Sequence, residues 1–403
     1  MSLTRRDFLK CVPAAAIPLA MPRLSFGATG AARDVLVIVF QRGGMDALNA
    51  VAPYGDADYY RLRPTLAVAR PGSGTSAALD LDGFFGFNPA LAPLVPLYQA
   101  GRLAVVHATG FLLGSRSHFD CQDFMERAAL NSAGVSSGWL NRHLEAVGVT
   151  ETFEAVGVGK ALQLALRGNA PTVGIDTFAG FTVKTTSSRK SEVVDALDHL
   201  FASDSLLDVT AQRSLAAVDE LAAANPSQYA AANGAAYPNT AFGSQMHSIA
   251  QLIKADVGLS VACVDIGGWD HHDNEANQLT PLLDELGKSL AAFDTDLGAA
   301  MSGVTVVTLT EFGRRAAQNA SGGTDHGSGY AMLLLGGGVA GRNVYRNWPG
   351  LRDDQLFRGD LAITTDYRSV LSEVLVKRLG GSDLARVFPG FVQQPFVNAL
   401  IAG

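Results

Sequence analysis

The sequence predicts an α/β protein built on a buried, largely parallel sheet. Three observations carry that expectation. Apolar, β-branched runs of strand length recur along the chain, bounded by charge or glycine. Stretches with helical spacing separate several of them, as crossover connections between parallel strands require. Turns crowded with Asp, Glu and His stand where strands give way to loops, which is where open α/β sheets bind ligands.

Residues 1–27 read as an export signal and 28–403 as one α/β domain. Thr4-Arg5-Arg6-Asp7-Phe8-Leu9-Lys10 sets a twin arginine ahead of a Phe-Leu pair. The apolar run from Val12 to Met21 is interrupted by Pro13 and Pro18. It is shorter than the about 20 apolar residues of a membrane-spanning helix. Ser25-Phe26-Gly27 offers a cleavage site, so the mature chain begins near Ala28. The twin-arginine translocase is then the partner during export, and the destination is periplasmic or extracellular. That route carries folded proteins, and loading a metal before export is one reason to fold first.

Hydrophobic residues make up 48% and charged residues 17%, enough to fill a large core and too apolar for global disorder. A formal net charge of −7 argues against nucleic acid or an anionic membrane as the main partner. It leaves room for a local basic pocket that takes an anionic substrate. No later run is long enough to span a bilayer. Cys11 falls in the signal, leaving Cys121 and Cys263. One disulfide between them is arithmetically possible, but Cys263 lies in an apolar strand, where a buried free thiol is the commoner case.

Asp34 to Phe40 is the first buried strand. The turn Gln41-Arg42-Gly43-Gly44-Met45-Asp46 follows, and its glycines let backbone approach a ligand closely. Asp46 then stands at a strand's carboxyl end, where a ligand role and a helix N-cap fit equally. Tyr54 to Leu81 is turn-rich. Pro89 to Ala100 has helical spacing, and Leu103 to His107 is the second strand. Ser115-Arg116-Ser117-His118 leads into a helical segment reaching Glu126. That places Ser115, Ser117 and His118 at a helix N-terminus, where free N–H groups favour an anion. A hydroxyl there becomes a nucleophile if a metal lowers its pKa; Ser117 acting only as a cap fits as well.

Gly138 to Leu144 is a short helix, and Phe153 to Leu166 could form strands. Ser191–Phe201, Leu206–Ala224 and Phe242–Asp256 are helical, so residues about 189–257 read as a cap over the sheet or as ordinary crossover helices. Leu259 to Ile266 is a strand, and Gly267-Gly268 turns it into Trp269-Asp270-His271-His272-Asp273. In an extended segment Asp270 and His272 share a face. Leu279 to Met301 is a long amphipathic helix. Val304 to Leu309 is a strand that ends in Thr310-Glu311-Phe312. The loop Ser321 to Gly327, with Asp325 and His326, precedes the strand Tyr330 to Leu335, and Ser369 to Leu379 is the last helix.

Three of the eight histidines, His271, His272 and His326, lie in Asp-His clusters next to strands. That grouping points to a metal. Mixed Asp, Glu and His ligation suits Zn²⁺, Mn²⁺ or Fe²⁺, one ion or two, whereas a pure oxygen set would suggest Mg²⁺ or Ca²⁺. Arg314 and Arg315 either neutralise Glu311 or reach a substrate anion.

The ordered motifs FQRGGMDALN, SRSHFDCQDF, GGWDHHDN, TLTEFGR and GGTDHGSG, behind a twin-arginine start, resemble the bacterial DUF1501 family over nearly the whole mature chain. That family is similar in pattern to the alkaline phosphatase-like superfamily, which includes sulfatases and cofactor-independent phosphoglycerate mutases. The resemblance implies a three-layer sandwich, a largely parallel central sheet with helices on both faces. It implies metal ligation by Asp46, Asp270, His272, Glu311 and His326. Asp325 serves as a ligand or orients His326, and His271 is an extra ligand or a substrate contact. It implies Ser117 as nucleophile, with Ser115 behind it, and His118 as general acid or substrate ligand.

Two departures matter. Phe312 stands where the superfamily pattern has a ligand His, and the spacing from Asp270 to His272 is short. The implied function is an exported metal-dependent hydrolase of a phosphate or sulfate ester, on a small molecule or a glycan, using a metal-activated Ser or water. Two rivals stand beside it. One is a non-haem-iron enzyme with two His and one carboxylate. The other is a non-catalytic exported protein whose metal only stabilises it.

Overall fold

The apolar run after Asp34 becomes strand β1, Val35–Arg42, buried along all but its last residue in the computed structural model of the chain. The structure describes residues 34–112, 115–129, 134–184, 190–203, 206–381 and 383–402. The expected export signal and cleavage point near Ala28 lie outside them. Residues 34–403 form one compact unit.

β1 sits inside a nine-stranded sheet. The other strands are β2 (Leu103–Gly110), β3 (Ala155–Val158), β4 (Val173–Ile175), β5 (Val261–Gly267), β6 (Val304–Leu309), β7 (Tyr330–Gly336), β8 (Asn343–Tyr345) and β9 (Thr365–Asp366). Their order is β8-β2-β7-β6-β1-β5-β3-β4, with β9 paired to β2 beyond β8. Every pairing is parallel except the two made by β7. β1, β2, β5, β6 and β7 are apolar on both faces, as strands covered by helices must be, and they fill the main core.

β1 pairs with β5 (Arg42 opposite Gly267) and with β6 (Phe40 opposite Leu309). The carboxyl ends of β1, β5, β6 and β2 therefore share one edge of the sheet. Because β7 runs the other way, its entry also lies on that edge, and it brings the loop from Ser321 to Gly329 there.

The helices of eight residues or more are α1 (His118–Arg127), α2 (Trp139–Val147), α3 (Lys190–Leu200), α4 (Leu206–Ala224), α5 (Ala241–Lys254), α6 (Glu275–Leu297) and α7 (Tyr367–Arg378). α6 packs against α5 and the 3-10 turn Pro89–Leu94, and α2 packs against the short helix Leu384–Val387. None of the described helices is long and apolar enough to cross a membrane.

Several elements differ from the expectation for physical reasons. The segment Pro89 to Ala100 is only partly α-helical: Pro93 and Pro96 lack N–H donors, so it starts as 3-10 and becomes α-helical at Val95–Gln99. β2 continues three residues past His107, where polarity suggested a stop. The buried imidazole satisfies itself: Nδ1 accepts from the Ala108 N–H and Nε2 donates to the Val51 carbonyl at 3.1 Å. Burial pushes its pKa down to about 4. α6 begins four residues earlier than its apolar stripe and ends at Leu297, where Gly298 takes a φ of +51°. Cys121 and Cys263 are both buried free thiols, with no disulfide between them.

Candidate metal centre

The loop after β1 is held down by its neighbours. Gly43 has a φ of +126°, and a Cβ there would come 2.7 Å from the Asp270 nitrogen, so only glycine fits. Trp269 is fully buried, and its indole N–H donates to the Ile266 carbonyl at 2.9 Å, fixing the turn that carries Asp270. Arg314, 1% exposed, ties the loops together. Its guanidinium donates to the carbonyls of Gly43 and Gly44, to Thr324 O at 3.1 Å, to Trp269 O at 2.9 Å and to Asp270 Oδ1 at 2.7 Å. Of the two roles open to Arg314 in the sequence, neutralising Glu311 is not the one observed; it neutralises Asp270.

His118, Asp270 and His326 converge so that one ligand atom from each lies within 4.8 Å of the others. His118 Nε2 is 3.2 Å from Asp270 Oδ2, and His326 Nε2 is 3.1 Å from Asp270 Oδ1. His272 joins them, with Nε2 at 3.0 Å from Asp270 Oδ1 and 3.0 Å from His326 Nε2. α1 contributes His118 at its first residue, the β5 loop Asp270 and His272, and the β7 entry loop His326.

The other nitrogen of each ring meets an acceptor. His118 Nδ1 donates to Glu311 Oε1 at 2.8 Å, His272 Nδ1 to Asp325 Oδ1 at 3.0 Å, and His326 Nδ1 to the Arg116 carbonyl at 2.7 Å. A neutral imidazole that donates from Nδ1 has a lone pair on Nε2. With the three rings neutral, as metal binding requires, three Nε2 lone pairs face one another and a carboxylate. The contact between His272 Nε2 and His326 Nε2 sets lone pair against lone pair, which is repulsive unless a cation lies between them. His118 Nε2 is buried, and the group it faces is Asp270 Oδ2. Ligands sharing a tetrahedral first-row ion at about 2.1 Å are roughly 3.4 Å apart, a little more than these spacings. An imidazole whose far N–H is fixed by a carboxylate or carbonyl is the usual arrangement of a metal-bound histidine. The residues present fit a divalent transition metal.

The charges agree. Burial opposes ionisation of Asp270, but Arg314, His326 and His118 outweigh it and hold the pKa at about 2. Burial also opposes the charge on Glu311; hydrogen bonds from His118, Gln122 and the Gly43 N–H prevail and lower its pKa. Burial lowers His326 and so favours its neutral form, whereas the bond to Glu311 raises His118.

The expected residues divide into three groups. Asp270, His272, His326 and His118 come together. Glu311 and Asp325 sit behind them. Glu311, read from the sequence as a ligand, accepts from Gly43 N–H at 2.8 Å, from Gln122 at 2.9 Å and from His118, and so positions His118. Asp325 orients His272, while the Arg116 carbonyl orients His326. The remaining residues point to other tasks. Asp46 is 2% exposed, and both its oxygens are paired with Arg63. It precedes a short helix without capping it, and the partner it has is Arg63 in a buried ion pair. His271 is 2% exposed and stands outside the convergent group, its pKa lowered by burial. Ser117 caps α1, accepting from the Asp120 N–H at 3.5 Å, and the Ser115 hydroxyl donates to Asp120 Oδ2 at 2.9 Å.

Phe312 occupies the space among the histidines. Its ring centroid is 4.9 Å from that of His118 and 4.6 Å from that of His326. At Gly44, with φ +74°, a Cβ would lie 2.6 Å from the same ring. The aromatic ring thus packs against the sides of two imidazoles and leaves their nitrogens to each other.

Sequence reasoning missed Arg63, Glu275, Gln122 and Asp360. Arg63 lies in the turn-rich stretch from Tyr54 to Leu81, which gave no motif. Glu275 opens α6, four residues before the helix expected from the sequence; it lies 0% exposed, accepting from Thr324 Oγ1 at 2.6 Å.

The family model described as "Protein of unknown function (DUF1501)" matches residues 112–371. No curated protein matches the sequence. Similar solved structures include the lipoteichoic acid synthase LtaP from Listeria monocytogenes, at 8% identity and a TM-score of 0.34 over 83% of this chain and 76% of that one. The C-terminal periplasmic domain of EcEptC from Escherichia coli is similar at 9% identity and a TM-score of 0.36, over 91% of this chain and 89% of that one. The alkaline phosphatase from the Antarctic bacterium TAB5 is similar at 8% identity and a TM-score of 0.31, over 76% of this chain and 92% of that one.

Proposed function

The chain belongs to the DUF1501 family, and on that premise we propose that it is an exported metal-dependent hydrolase of a phosphate or sulfate ester. The observation that carries this is the meeting of three imidazole Nε2 lone pairs with the Asp270 carboxylate, each ring held from behind. His118, His272, His326 and Asp270 hold the ion. When bound, it supplies a Lewis acid that polarises an ester oxygen and lowers the pKa of water.

The chain's own residues do the rest. Glu311, Asp325 and the Arg116 carbonyl keep the three rings aimed at one point, so little reorganisation is needed at the moment of reaction. Arg314 holds Asp270 ionised and in place. Because the Ser115 and Ser117 hydroxyls are engaged with Asp120, we assign the attack to water rather than to either serine. The twin-arginine motif supports export to the periplasm or beyond, and residues 1–27 are proposed as its removed signal.

The test is turnover by the metal-loaded protein on a panel of aryl and sugar phosphates and sulfates. Hydrolysis that chelation abolishes, that added metal restores and that Asp270→Asn loses supports the reading. A fully metallated protein that cleaves none of them refutes it. His118, Asp270 and His326 also have the two-His, one-carboxylate composition of non-haem iron sites. Consumption of O₂ by the Fe²⁺ form, without ester cleavage, would favour that second reading.

A further inference from the structure

We infer that Arg116 and Arg315 form an anion subsite beside the metal ligands, and that it takes a second acidic group of the substrate. The word "substrate" rests on the hydrolase reading; the anion site itself does not.

The two guanidinium groups meet at one carboxylate. Arg116 Nη2 is 2.7 Å from Asp360 Oδ2, and Arg315 Nε is 3.7 Å from Asp360 Oδ1. The Asp360 side chain is 0% exposed, and Ser328 Oγ donates to it at 2.8 Å. Among the described residues, no other carboxylate lies within ion-pair distance of either arginine. Two positive charges against one negative leave one charge unbalanced.

That charge reaches solvent. The Arg116 and Arg315 side chains are 41% and 38% exposed, while their common partner is buried behind them. Arg315 Nη1 also donates to the Arg358 carbonyl at 2.8 Å, which holds its guanidinium in place but does not neutralise its charge. Asp360 lets two like charges approach each other, and the buried carboxylate fixes where they stand. An arginine fork matches carboxylate, sulfate and phosphate oxygens.

The main chain places this charge next to the centre. The Arg116 carbonyl is the acceptor for His326 Nδ1, and the Arg315 N–H donates to the Asp325 carbonyl at 2.8 Å. Arg314 and His326 are paired by a backbone bridge. A protein of formal net charge −7 thus carries a local cationic pair on the loops that hold His326 and Asp325. The substrate class it fits is an ester whose non-reacting part bears a carboxylate, sulfate or phosphate.

The experiment is a calorimetric titration of the intact chain with inorganic sulfate at fixed ionic strength, for wild type, Arg116→Gln and Arg315→Gln. Each variant keeps one arginine for Asp360, and thermal unfolding checks that the fold is retained. Each should bind sulfate about tenfold more weakly, a change worth about 1.4 kcal/mol. Equal affinity in all three, or no binding by wild type, overturns the subsite. Sulfate binding needs no turnover, so a protein that binds sulfate at these arginines but cleaves no ester refutes the hydrolase reading alone. In a second arm, phenyl phosphate is compared with carboxyphenyl phosphate. The variants should raise KM for the carboxylated ester and not for phenyl phosphate; an equal rise for both would assign the arginines to the reacting group instead.

Discussion

Replacing Asp46 by Asn separates a structural carboxylate from a metal ligand. Asp46 is buried, Arg63 is 0% exposed and grips both its oxygens, and Arg63 also donates to the carbonyls of Ala316 and Arg315 at 2.9 Å each. Glu275 accepts from Asn49 Nδ2 at 3.3 Å and Thr324 Oγ1 at 2.6 Å, and burial together with the nearby Asp46 charge pushes its pKa up to about 9. The buried pair therefore holds one negative charge and one proton at neutral pH. Removing one partner of a buried ion pair typically costs about 3–5 kcal/mol. In Asp46→Asn, however, Glu275 can release its proton and take over Arg63, which reduces the loss to about 1–3 kcal/mol. Glu275→Gln keeps a donor toward Asp46 and costs less. The double variant has no charge left for Arg63 and should lose the full 3–5 kcal/mol or so, more than the sum of the singles.

Urea unfolding at neutral pH measures all four corners of this cycle. pH gives a second readout with a definite sign. The folded chain keeps a proton on Glu275 that the unfolded chain releases near its usual 4.5. The stability from that proton is complete below 4.5 and drains away as pH rises to about 9. Glu275→Gln should flatten this decline. Additive losses, or an Asp46→Asn variant that unfolds like wild type yet binds metal poorly, would refute the buried-pair account and return Asp46 to the metal.

Other expectations follow from the same contacts. Glu311→Gln replaces an acceptor of three N–H groups by an amide, so metal affinity should fall about 10- to 100-fold in a chelator competition. Ser117→Ala should cost about 1 kcal/mol in urea unfolding through the lost α1 cap, while leaving ester turnover within a factor of about two if water is the nucleophile. Cys121 and Cys263 are buried thiols, each with its pKa raised by burial. A thiol reagent should label both only after unfolding, and reductant should leave the unfolding midpoint unchanged.

Much of the fold was legible because its long strands are buried on both faces and read as unbroken apolar runs. The antiparallel course of β7 was not, since direction leaves no trace in such a run. β4, β8 and β9 have three, three and two residues, too few to stand out by periodicity. At the centre, the crowding of Asp270, His272 and His326 pointed to a candidate metal cluster, whereas the sequence pointed to a general acid or substrate ligand at His118, and its convergence with them was not legible. Nor was their division of labour. Glu311 and Asp270 have the same sequence signature, an acid at a strand's carboxyl end. What separates them is depth: Glu311 is buried far enough to spend Oε1 on Gly43, Gln122 and His118 and Oε2 on the Thr310 hydroxyl. Asp46 shows the same limit, because its partner Arg63 stands 17 positions away in an irregular stretch.

Metal analysis of the full-length purified protein, with His326→Ala beside wild type, tests the central claim most directly. The convergence of His118, Asp270, His272 and His326 predicts a bound divalent transition metal in wild type, close to one ion per chain, and its loss from a variant that still unfolds cooperatively. Wild-type protein without any such metal after supplementation, or a variant that keeps its full complement, would contradict it.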